Sequence, residues 1–199
     1  MTSSRRRTTP RTLTAAFATV VLSGGLVLVP APASAAPQDC HYMGYGSGPD
    51  QLGLQFDVDE QWVFDEINAY RGQNGLAALT VAEQLRRPTM WGSLDSATRT
   101  DGASKVSHTD SRGMGISQRA ELCGGYTGLL GEIKYYGEGG NADNPYYYGS
   151  GPAALEAWKN SPPHNEQMLK PEHTTFAVGF AYLGHNAEQG FWTVMFGNH

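Results

Sequence analysis

The chain has 199 residues, with 19 acidic side chains against 14 lysines and arginines, a formal net charge of −5. Arg5, Arg6, Arg7 and Arg11 all lie at the N-terminus, so the chain beyond them carries ten basic against nineteen acidic groups, a net charge of −9. A field of that sign repels phosphate backbones, which excludes nucleic acid as a partner.

In chain order, the arginines lead into an apolar stretch, Leu13 to Val29, broken by Gly24-Gly25, and then into Pro30-Ala31-Pro32-Ala33-Ser34-Ala35-Ala36. A basic start, an apolar centre and small residues at Ala33 and Ala35 predict a secretory signal peptide over 1–35, cleaved after Ala35. Ser4-Arg5-Arg6 would suit a twin-arginine route, but the residues after it fit the general export route better. The mature chain is therefore expected to be extracellular and to lack a transmembrane segment, since no second apolar run of spanning length follows. Cys40 and Cys123 both fall in the exported part, where oxidation is permitted, and are expected to pair rather than to remain two free thiols. On the chain-entropy account such a bridge contributes about 4 kcal/mol and ties the N-terminal segment to the body.

Residues 36–56 are rich in glycine, proline, aspartate and glutamine and hold no period, so they are predicted to form an extended arm. Asp57 and Glu60 stand at capping-box spacing, and Val63, Phe64, Ile67 and Tyr70 make one apolar stripe, which predicts a helix ending near Gly72 and Gly75. A second helix is expected from Thr80, with Glu83 in the same capping relation, Leu85, Trp91 and Leu94 inward, and a kink or break at Pro88. Farther on, Glu132 is a single carboxylate among glycine and apolar residues and needs a partner if buried. Residues 134–151 are expected as a loop. Its tyrosines, Tyr135-Tyr136 and Tyr146-Tyr147-Tyr148, would either wall a ligand or pack the loop on itself.

A third helix is predicted near Pro152, a residue suited to the first helical turn, carrying Leu155 and Trp158. It runs into Ser161-Pro162-Pro163-His164. Two prolines either simply stop the helix or aim His164 at something, because they restrict the backbone on both sides of the junction. Beyond it, Phe176, Val178, Phe180 and Tyr182 alternate with Ala177, Gly179 and Ala181, and Phe191–Phe196 is nearly continuous in large residues. These predict a two-stranded hairpin covered on both faces. Helices before and strands after predict an α+β fold, a three-layer α-β-α sandwich. His41, His173, His185 and His199 read as surface or loop residues.

The order Ile67-Asn68-Ala69-Tyr70-Arg71, Ser107-His108-Thr109-Asp110, Arg119 with Cys123-Gly124-Gly125-Tyr126, Gly131-Glu132-Ile133, Trp158 with Ser161-Pro162-Pro163-His164, then Ala177–Ala181 and Phe191-Trp192-Thr193 resembles a bacterial CAP (SCP) domain. That superfamily includes the cysteine-rich secretory proteins, antigen 5 and the plant pathogenesis-related group 1 proteins. The resemblance implies a CAP domain over 57–199 with a central cleft that in many relatives holds two histidines and two carboxylates able to bind a divalent metal. Here His108, Glu132 and His164 match three of the four. Ile133 stands where the family has an asparagine, and Ser161 stands where relatives can carry the second acid. Asp110 and Glu156 are the candidates to substitute, and Asp110 is also placed to orient His108.

Two imidazoles and one carboxylate suit Zn²⁺ or another divalent cation with a position open to water. The alternative is that the three side chains only hydrogen-bond one another. Three functions follow from the resemblance. The leading one is a secreted, monomeric binding module for a small apolar or sugar-like ligand, with lipid or sterol among the candidates, and not an enzyme. The others are an extracellular zinc-dependent hydrolase, and an interaction domain whose cleft is vestigial.

Overall fold

Helix α1, Val58–Gln73, starts where the sequence marks it. Asp57 Oδ1 accepts from the backbone N–H groups of Asp59 (3.0 Å) and Glu60 (2.8 Å), and Glu60 Oε2 accepts from Asp57 N (3.1 Å). These bonds satisfy donors that a helix start leaves without partners. Glu60 also reaches out of the helix, its Oε1 accepting from Phe180 N at 2.8 Å, so the cap locks α1 against the sheet. In this computed structural model the described residues are 57–144, 147–183 and 189–199; the expected signal peptide, the arm with Cys40 and His41, Tyr146 and His185 lie outside them.

A short strand, β1 (Thr80–Val81), precedes helix α2 (Glu83–Ala97). Thr80 therefore belongs to a strand and does not cap the helix; Ala82 stands at the N-cap, without a side-chain bond. Pro88 lies inside α2, which continues through it without the expected break. The chain then makes a 3-10 turn at Ser104–Val106 and forms helix α3, Ile116–Gly124. Strand β2 follows, Gly131–Glu138, where a loop was expected from residue 134. Helices α4, Gly151–Asn160, and α5, Pro162–Met168, lead to strands β3, Thr175–Leu183, and β4, Gln189–Gly197. The predicted pair is thus the centre of a four-stranded sheet, ordered β1-β3-β4-β2. β4 is antiparallel to both β3 and β2, and β1 is parallel to β3.

The two faces of β3 explain the layers. Its bulky residues Phe176 and Val178 join Val63, Ile67, Trp158, Trp192 and Val194 in one core beneath α1 and α4. Its small residues let α2 come close on the other side. A Cβ on Gly179 would stand 2.8 Å from Met90 N and 2.9 Å from Thr89 C, backbone that cannot move aside. Ala177 and Met195 there meet Leu85, Ala120 and Tyr126 in a second core beneath α2 and α3. The result is the three-layer α-β-α sandwich that the alternation predicts.

One histidine departs from its expected place. His173 is buried, not a surface residue; its ring stacks on Phe196 at 5.2 Å, and Nε2 lies 3.3 Å from Gln167 Oε1. Burial is the largest cause that holds its pKa down to about 4. An imidazole neutral in the fold but free to protonate when unfolded contributes stability present above pH 6.5 and lost as pH falls toward 4. Glu60 acts in the opposite direction. Burial pushes its pKa up to about 8, so its contribution is complete below pH 4.5 and declines as pH rises through 8. Comparing wild type with His173→Phe isolates the histidine. By urea unfolding at a series of pH values, wild type should lose about 3 kcal/mol more than the variant between pH 6.5 and pH 4. Parallel curves would show that His173 does not titrate in this way.

A candidate site on the outer edge of strand β2

Among the described residues strand β2 ends the sheet, with β4 as its one strand neighbour. Alternation along it places Glu132, Lys134 and Tyr136 on one face and Ile133 and Tyr135 on the other. Ile133 belongs to the core with α4, and Trp158 Nε1 of α4 donates to the Lys134 carbonyl at 3.1 Å. The Glu132 face looks instead toward α3 and the segment after the 3-10 turn, as its bonds show.

His108 comes from that segment. Its Nδ1 lies 2.9 Å from Glu132 Oε1, a bond in which the imidazole donates to the carboxylate, leaving Nε2 as the outward nitrogen. The His108 side chain is 53% exposed whereas the Glu132 side chain is fully buried, so the carboxylate orients the ring from behind. Its other oxygen, Oε2, accepts from Arg119 Nη2 of α3, and the Arg119 side chain is also fully buried. Lys134 adds a second cation, its Nζ donating to Gly92 O at 3.0 Å and Ser107 O at 3.2 Å. Burial, then the neighbouring Arg119, pulls the Lys134 pKa down to about 7. The His108 pKa is lowered by burial first and by Lys134 and Arg119 next. A carboxylate at 2.9 Å would ordinarily raise it, but here that negative charge is compensated by the guanidinium.

His164 lies on α5, which packs against β2 from the opposite layer. Tyr70 Oη donates to Asn165 Oδ1 at 3.1 Å, and the buried Arg71 donates through Nη1 to Met168 O at 2.7 Å and Lys170 O at 3.1 Å. α1 thereby grips α5 at its middle and at its C-terminal end, and Pro162-Pro163 occupy its first turn. The His164 pKa is lowered by burial and by His108, so the two imidazoles are close enough for one to oppose protonation of the other.

The remaining candidates lie apart from this arrangement. Asp110 does not orient His108: its oxygens accept from Trp91 Nε1, Arg112 and the backbone N–H groups of Arg112 and Met114, closing its own loop. Glu132 fills that role. Glu156 accepts from Tyr147 Oη at 2.9 Å. Ser161 is the junction between α4 and α5, with no side-chain capping bond into α5. Of the tyrosines, Tyr135 packs edge-on to Trp158, and Tyr136 stacks on Phe191 with the Lys105 ammonium over both rings. Tyr135 and Tyr136 are thus engaged with α4 and β4, whereas Tyr148 is exposed.

The expected metal set is tested by the donors themselves. Both Glu132 oxygens are already engaged, one with His108 and one with a buried guanidinium. Among the described residues no three His, Cys, Asp or Glu side chains are grouped so as to hold a metal ion. These residues do not fit a divalent cation. Arg119 carries this conclusion, and neither it nor the buried Lys134 had an assigned role in the sequence. The signal available for Lys134 was the alternation Glu132, Lys134, Tyr136 in the stretch expected as a loop.

A three-layer sandwich of this order, five helices about a four-stranded sheet among the described residues, is the fold of a known class. The family model described as the cysteine-rich secretory protein family, CAP, matches residues 64–196, and the chain belongs to that family. Among solved structures, it is similar to an extracellular protein containing an SCP domain from Bacillus anthracis, with 22% identity and a TM-score of 0.56. That match covers 78% of this chain and 45% of the other, so this chain spans less than half of that relative's length. It is also similar to an outer surface protein from Borrelia burgdorferi, at 21% identity and a TM-score of 0.52, over 74% of this chain and 98% of that one. No curated protein matches. At these identities the structural likeness shows the fold alone. Among the described residues no helix is long and apolar enough to cross a membrane.

The buried pair yields a stability test. Glu132→Gln and Arg119→Met each leave one buried charge without its partner and should each cost about 3–5 kcal/mol in urea unfolding. The double variant, Arg119→Met with Glu132→Gln, leaves no unpaired buried charge and should cost clearly less than the two single changes together. Additive costs would mean that the two side chains are not coupled.

Proposed function

We propose that this chain is an exported binding module of the CAP family. It recognises a small, polar, sugar-like ligand through the imidazoles of His108 and His164 in a cleft along the outer edge of β2. The observation that carries this reading is the fixed presentation of His108. Its Nδ1 is held by Glu132, itself held by Arg119, which leaves Nε2 as an acceptor directed away from the buried pair. A neutral imidazole so held can accept from a ligand hydroxyl at Nε2.

Recognition is favoured over turnover because nothing beside the imidazole supplies a nucleophile. The neighbouring Ser107 hydroxyl donates to Thr109 O at 3.0 Å, and among the described residues no serine, threonine or cysteine side chain hydrogen-bonds either histidine. An oriented base with no protein nucleophile bonded to it is also a fixed hydrogen-bond acceptor, which is what recognition of a ligand hydroxyl needs. The polar imidazole pair and the engaged tyrosines support the sugar-like ligand over the apolar one.

Export is part of the proposal. It rests on the N-terminal pattern of the sequence, and the names of the two relatives above place those proteins at or outside the cell surface. In the exported chain, signal removal exposes Ala36 and Cys40 pairs with Cys123; Cys123 is buried on α3. Native mass spectrometry of the secreted chain, with a fluorescent glycan panel, tests the binding reading. A glycan should be retained by wild type and bound at least about tenfold more weakly by His108→Ala with His164→Ala, a loss of about 1.4 kcal/mol or more. Equal binding by the double variant, or turnover of the panel abolished by Glu132→Gln, would overturn it.

A further inference from the structure

We infer that Arg119 is the resident cation of this site: it compensates Glu132 from within the protein, so that the site works without a divalent metal and refuses one. The inference rests on the site proposed above but concerns its charge, not its ligand. A carboxylate that ligates a metal must direct a lone pair at the ion. Glu132 directs Oε1 at His108 Nδ1 and Oε2 at Arg119 Nη2, and its side chain has no exposed surface from which to reach a third partner. The two imidazoles remain as donors, and two neutral nitrogens without a carboxylate are a weak set for a divalent ion.

The position of Arg119 makes the substitution permanent. The guanidinium enters from α3, beneath the sheet, where Ala120 and Cys123 of the same helix are buried in the core. It is fully buried, and besides Glu132 it reaches toward His108 O, 3.5 Å from Nη1. One side chain thus compensates the carboxylate and lies against the backbone of the histidine that the carboxylate orients. A divalent ion could bind His108 only at Nε2, across the ring from Glu132, whose carboxylate is bonded to that ring and to a guanidinium that cannot lose its charge at neutral pH. The buried pair is neutral as a unit, so no uncompensated carboxylate draws a divalent ion to the imidazole.

The claim is tested with ZnCl₂ alone as probe, by isothermal titration and by thermal melting of chelator-treated protein lacking a histidine tag. Wild type should show no saturable one-to-one heat and no rise in melting temperature. Arg119→Met frees Glu132 beside two imidazoles and should gain zinc affinity at least about tenfold over wild type, with a zinc-dependent rise in melting temperature. His108→Ala should remove that gain. Should Arg119→Met not fold, the wild-type arm decides alone: the Cε1–H resonances of His108 and His164, assigned with the two alanine variants, should stay in place as zinc is added. Saturable one-to-one zinc binding by wild type that is lost in His108→Ala would overturn the inference. Failure to find a glycan ligand would leave this result unaffected, since no ligand other than zinc enters the test.

Discussion

The structure around the candidate site depends on one buried ion pair, Arg119 with Glu132. Both side chains are withdrawn from water, and charges in that position are tolerated when each compensates the other; the pair is satisfied at both Glu132 oxygens, while Arg119 Nε has no hydrogen-bond partner among the described residues. The spare oxygen of Glu132 is used by His108. The histidine is consequently a partner of the pair and not an independent surface residue, which fixes its orientation although half of its side chain is exposed. α3 supplies the arginine and β2 the glutamate, so the pair also ties the lower layer to the edge of the sheet.

The two histidines reach that edge by different physical means. His108 sits in a segment held by polar contacts: Asp95 accepts from Ser111 N at 3.0 Å and from Arg99, and Arg99 Nη2 donates to Thr109 O at 2.7 Å. His164 sits on a short helix started by two prolines and gripped by Tyr70 and Arg71 of α1. Each layer of the sandwich thus contributes one imidazole, and the sheet edge between them contributes the acid. Such convergence follows from the topology, in which the strand bearing Glu132 lies outermost. It also accounts for the electrostatics. Burial lowers both histidine pKa values, reinforced at His108 by Lys134 and Arg119 and at His164 by His108, which favours neutral imidazoles able to accept a hydrogen bond.

Much of the fold was legible in local pattern. The Asp57–Glu60 box, Pro152 at the start of α4 and the large-small alternation of β3 act over a few residues, and each is found where the sequence places it. What failed to show was nonlocal. Thr80-Val81 pairs with Thr175-Phe176 across nearly a hundred residues, and that parallel contact makes a strand of residues that read as a helix cap. β2 was taken partly for a loop because its glycines and tyrosines carry turn composition, whereas its eight-residue register with β4 makes it a strand. In the site, His108, Glu132 and His164 stood out by family resemblance, but charge on its own does not reveal a partner. Arg119 looked like any helical arginine until the fold brought it to Glu132, and His173 looked like a loop histidine until Phe196 covered it.

The central claim is that Glu132, compensated by Arg119, orients His108 as a neutral acceptor. The protonation state of the ring nitrogens reads this directly. A long-range ¹H–¹⁵N correlation spectrum of the secreted chain at pH 7, with His108 assigned by comparison with His108→Ala, should show the neutral tautomer protonated at Nδ1 with Nε2 bare. A ring protonated at Nε2, or charged at both nitrogens at that pH, would contradict the account.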